Sequence, residues 1–116
     1  MTTATRSRAK PDLVRAEMLF HALSDATRLA ILEMLRGGER CVCDLQDDLD
    51  AAQSKLSFHL KVLKDARLVV ARQEGNRRIY QLDPEGVALL RAYLDRFWSK
   101  ALTAYKAAVE KQAEED

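Results

Sequence analysis

Apolar residues recur along this chain at a helical period, then briefly at period two, then at a helical period again. From Pro11 to about Leu23 they mark a helix, with Leu13, Ala16, Phe20 and Leu23 along one stripe. Ser24 or Asp25 caps the next helix, DATRLAILEMLRGG, whose stripe is Leu29, Ile31, Leu32 and Leu35. Gly37 and Gly38 end it. A short helix is predicted over roughly Val42 to Leu49, and another from about Gln53 to Asp65. In the latter, Leu56, Leu60 and Leu63 fall at i, i+4 and i+7 and define a buried face. The runs LVVARQ and RRIYQL then change the period, and Glu74-Gly75-Asn76 between them reads as a hairpin turn. Asp83 and Pro84 supply an N-cap and a first-turn proline for a last helix of about residues 84–111.

This order predicts a mainly α fold with a small β-hairpin, a winged helix-turn-helix. Residues 1–10 are polar and basic without periodicity and are expected to be a flexible arm; residues 11–116 form the domain. The last helix is apolar on two adjoining stripes. Val87, Leu90, Leu94, Phe97 and Ala101 form one, and Leu89, Tyr93, Trp98, Leu102 and Tyr105 the other. A domain of this size cannot cover both, so a homodimer is expected.

Charge sharpens this picture. The net charge of +1 argues against a chain that is basic throughout. From Lys55 to Arg78, however, seven bases face only Asp65 and Glu74, whereas acids dominate from Glu33 to Asp50. No apolar run approaches the ~20 residues of a membrane span, and no signal peptide is visible, so a cytoplasmic protein is expected. Both cysteines, Cys41 and Cys43, are then expected to be thiols.

With three leucines facing inward, Ser54, Lys55, Ser57, Phe58 and Lys61 face outward near the start of their helix. In helix-turn-helix proteins that end enters the major groove. Serine and lysine can bond phosphate or base edges. Phe58 either meets a thymine methyl or packs under the wing, and His59, beside the buried face, is expected to be a packing residue. Arg72, Arg77 and Arg78 on the hairpin are candidate phosphate or minor-groove contacts. No glycine-rich phosphate loop, paired carboxylates or Ser-His-Asp set is visible, so no enzyme is expected.

The segments ALSDATRLAILEML, SKLSFHLKVLKDARLV and GNRRIYQL resemble the second helix, recognition helix and wing of the ArsR/SmtB family of bacterial winged-helix repressors. The resemblance runs from about Ala16 to Leu82. CVCDL resembles the arsenite-responsive branch. The resemblance implies a homodimer that binds double-stranded operator DNA on an inverted repeat and releases it when a ligand binds. It implies arsenite or antimonite as inducer, with Cys41 and Cys43 as ligands and no cofactor for DNA binding. Two positions depart from the pattern. Gln46 stands where that branch often has a third cysteine, leaving the third ligand to a small thiol or water. Arg67 stands where a helix-ending glycine is usual, at a left-handed cost of about 1 kcal/mol. The last helix has no histidine, so the family's zinc site there is not expected.

Trivalent arsenic prefers thiolate sulfur, but zinc and other soft ions suit it too. Residues two apart on a helix point about 200° away from each other. If the helix already includes both, binding one ion through both sulfurs is therefore expected to unwind or extend the helix start and move the recognition helix. A thiol-redox sensor, a sensor of another soft metal and a constitutive repressor of the same fold remain open on these residues.

Overall fold

A computed structural model describes residues 11–115; the expected arm at residues 1–10 lies outside the described residues. In chain order the elements are α1 (Pro11–Leu23), α2 (Ala26–Arg36), β1 (Arg40–Cys41), α3 (Val42–Leu49), α4 (Gln53–Asp65), β2 (Val69–Glu74), β3 (Arg77–Leu82) and α5 (Pro84–Glu115). The strands form one antiparallel sheet in the order β1-β3-β2. The hairpin was expected. The third strand, β1, was not, because two residues are too few to display a period.

One core joins the helices to the sheet. Leu56, Leu60 and Leu63 of α4 are buried together with Ile31, Leu35, Leu45, Leu68, Val69 and Tyr80. The i, i+4, i+7 spacing of α4 thus produces the buried face it predicts. Two expected stripes hold only in part. In α1 the buried residues are Ala16, Leu19 and Ala22, while Leu13 and Phe20 are exposed. The two alanines bury the narrow face of α1, and Phe20 instead meets the edge of Tyr93 on α5, with ring centroids 5.8 Å apart. In α2, Leu29 points outward and its neighbour Arg28 is buried. Arg28 is tolerated there because its guanidinium donates to the carbonyls of Ala22 and His21 and to Nδ1 of His59.

The helix ends follow local chemistry. Asp25 caps α2, accepting from the N–H groups of Thr27 and Arg28 at 2.9 and 3.1 Å. These hydrogen bonds, that of Arg28 first, hold its carboxyl below its ordinary value of 3.8. Helix α4 ends in a Schellman motif: Leu68 N–H bonds the Leu63 carbonyl and Arg67 N–H the Lys64 carbonyl, both at 3.0 Å. Arg67 occupies its left-handed position with φ of 64°. Gly86 at the start of α5 lies against the carbonyl of Arg67, where a Cβ would overlap the oxygen.

Helix α5 continues to Glu115, past the expected end at 111. Its 32 residues span roughly 48 Å at 1.5 Å each. Leu89 and Leu90 pack on the core. Beyond them Phe97, Trp98, Leu102, Tyr105 and Val109 are exposed. No helix is long and apolar enough to cross a membrane among the described residues.

Candidate DNA interface and thiol site

Helix α4 carries Ser54, Lys55, Ser57, Phe58 and Lys61 at the surface, as expected. Phe58 is 59% exposed, which removes the alternative of packing under the wing. Its only ring neighbour among the described residues is the edge of His59, 5.4 Å between centroids. His59 is a packing residue, accepting from Arg28 at 3.0 Å and lying 3.7 Å from Asp25. Lys61 pairs with Asp65 at 2.9 Å across one exposed helical turn. Such pairs contribute about 0.3–0.5 kcal/mol, so another anion can displace Asp65.

The wing arginines divide. Arg77 and Arg78 flank the turn, where Gly75 adopts φ of 59°. Arg78 lies over the ring of Tyr80, 5.7 Å from its centroid. Arg72 is held on the strand instead. It donates to Glu39 at 2.8 Å, Glu74 at 2.9 Å and Gln81 at 3.2 Å. The hydrogen bond from Arg72 keeps Glu39 below its ordinary 4.5, and the two carboxylates raise Arg72 in turn. The partnership with Glu39 was not foreseen, since 33 positions separate the two.

Cys41 lies outside helix α3. It belongs to β1, pairing with Ile79 of β3, and its extended backbone makes it the N-cap of α3. Its sulfur accepts from Asp44 N–H at 3.2 Å. Cys43 is in the first turn of α3. The helix begins at Val42, as expected, so the two sulfurs meet without any unwinding, which corrects the expectation that the helix start must unwind to bring them together. They are joined as a disulfide with Cα atoms 5.3 Å apart, where free thiols were expected. Cys41 is 1% exposed, while Cys43 is at the surface. A carboxylate oxygen of Asp44 and both sulfurs lie within 4.8 Å of one another. Asp44 escaped the sequence reading because the family resemblance directed the search for a third ligand three residues beyond Cys43, to Gln46.

The disulfide and part of the basic surface open onto one cavity of about 650 Å³. Ser57 and Lys61 line it from α4, and Arg77 and Arg78 from the wing. Lys64 and Tyr80, not singled out beforehand, line it as well. Ser54, Lys55, Phe58 and Arg72 do not.

Residues 25–70 match the family described as bacterial regulatory protein, arsR family. An HTH-type transcriptional regulator of Mycobacterium tuberculosis is 49% identical over 96 residues, covering 83% of this chain and 90% of its own length. The arsenical resistance operon repressor of Bacillus subtilis is 44% identical over 80 residues, 67% of this chain and 76% of that protein. The solution structure of a homodimeric winged helix-turn-helix domain from Mycobacterium bovis superposes with a TM-score of 0.63 at 33% identity, covering 78% of this chain and 83% of that one. Regulators of this kind bind DNA through the fold described above rather than catalyse a reaction, and the chain belongs to the arsR family of bacterial regulatory proteins.

Proposed function

We propose that this chain represses transcription in the cytoplasm as a homodimer on an inverted repeat, and leaves its operator when trivalent arsenic or antimony binds Cys41 and Cys43. The observation that carries the reading is the convergence of the two sulfurs at the β1–α3 junction, on a cavity shared with Ser57, Lys61, Arg77 and Arg78. The arsenical resistance repressor of Bacillus subtilis and the homodimeric neighbour support it.

Ser54, Lys55, Ser57 and Phe58 read the major groove in this proposal, and Lys61, Arg77 and Arg78 hold phosphates. Arg72 takes a phosphate only by exchanging a carboxylate for it. The donor set fits a soft ion once the disulfide is reduced: two thiolates beside a carboxylate, with Asp44 as the third ligand nearest at hand. Because Cys41 is both a partner of β3 and the cap of α3, a change in sulfur geometry acts on the wing and on the helix supporting α4 together. Ligand and DNA then favour different arrangements of the same junction, as coupling requires.

The test is operator binding by anisotropy with arsenite titrated into reduced protein. Cys41→Ser and Cys43→Ser should each retain DNA affinity and lose release, because a serine hydroxyl stays protonated and is a hard ligand. Gln46→Cys should lower the arsenite needed, by adding a thiolate. Full response in the double serine variant would remove the arsenic site. The disulfide favours a second reading, a repressor whose pair responds to thiol redox state. Operator affinity that changes on reduction alone, without arsenite, is its signature.

A further inference from the structure

The cavity beside the disulfide has a chemical preference of its own. Four cationic side chains line it, Lys61, Lys64, Arg77 and Arg78, against the single carboxylate of Asp65. Asp65 is already engaged by Lys61. Neither the Lys64 nor the Arg77 side chain makes a hydrogen bond or ion pair among the described residues. The volume of about 650 Å³ falls in the range of small-ligand sites, roughly 300–1,000 Å³. One wall is the Cys41–Cys43 disulfide, in which Cys41 is buried and Cys43 is exposed.

We propose that this cavity is a binding site for small acidic thiols, carboxylate-bearing and of tripeptide size or below, which exchange with the disulfide at Cys43. The proposal rests on the redox reading above and names the reactant it would use. The carboxylates lie against Lys64 and the wing arginines, placing the thiolate beside Cys43. The incoming sulfur attacks Sγ of Cys43 and forms a mixed disulfide. The Cys41–Cys43 bond breaks, and its electron pair leaves on Cys41 Sγ, which keeps the hydrogen bond from Asp44 N–H. A second thiol attacks the mixed disulfide, giving the external disulfide and a free Cys43 thiolate. Two electrons pass from two external thiols to the protein disulfide, and no other oxidant is needed. Attack at Cys41 is disfavoured by its burial.

The experiment is reduction of the oxidised full chain by reduced glutathione, 2-mercaptoethanol and cysteamine, which are anionic, neutral and cationic. Rates are corrected for thiolate fraction and read by intact mass after alkylation. Glutathione should lead 2-mercaptoethanol, and that thiol cysteamine, each step on the order of threefold to tenfold, the lead shrinking with added salt. Lys64→Gln, an exposed position outside the proposed DNA contacts, should narrow the spread. Acid-quenched early samples should carry the adduct on Cys43. If all three thiols react at equal corrected rates, or Lys64→Gln leaves the spread unchanged, or the adduct maps to Cys41, the cavity proposal falls while the redox reading stands. If none reduces the pair, both fall.

Discussion

At the residue scale, hydrogen bonds fixed by sequence neighbours carry definite consequences. The Asp25 carboxylate caps α2, and its folded pKa lies below 3.8. A depressed carboxylate stabilises the fold at pH values above its ordinary value and loses that contribution as pH falls through the folded value. Asp25→Ala should therefore melt several degrees lower at neutral pH, and the gap should close in acid below 3.8. Melting curves at both pH values check this. Phe58 illustrates the opposite case. Because it is 59% exposed, Phe58→Ala should leave the melting temperature unchanged and relax operator preference at one or two positions. Lys61→Ala should instead weaken binding to every sequence and reduce the salt slope by about 1. A selection from randomised operators separates the two patterns.

At the element scale, α4 and the hairpin were legible because their patterns are strong and local: three leucines at helical spacing, and two β-rich runs around Gly75. Single positions in the stripes on α1 and α2 missed, Leu13 and Phe20 on α1 and Leu29 on α2, the last for a reason that no periodicity contains. Arg28 is buried through partners that include His59, 31 positions away, so the leucine beside it turns outward. The strand β1 exists only because β3 is there to pair with it. Its recognition would have fixed the extended backbone of Cys41 and shown that the sulfurs converge. Helix α5 keeps its large apolar side chains exposed past Tyr93, more than a stable monomer usually leaves bare. Trp98→Glu should leave the helix content intact and raise the dissociation constant of the proposed dimer by on the order of 30-fold, the effect of losing a ~2 kcal/mol anchor. Sedimentation velocity over a concentration series measures it.

At the scale of the whole molecule, the proposed sensing and DNA-reading groups share one surface. The cavity touches the disulfide, α4 and the wing, so on the proposed reading whatever fills it would compete with phosphate for the same cations. The sequence placed the candidate residues near each other along the chain but could not reveal that Arg72 is tied away by Glu39 while Arg77 is not. The start of the long α5 meets the turn that ends α4, with Gly86 against the Arg67 carbonyl and Glu85 3.7 Å from the Arg67 guanidinium. That point has no side chain to compress and a backbone already committed to a left-handed turn. It behaves as a pivot bearing without clearance. A tilt of the long helix would be handed to the end of α4, and in the proposed dimer two such bearings would set the pitch at which both α4 helices meet the duplex.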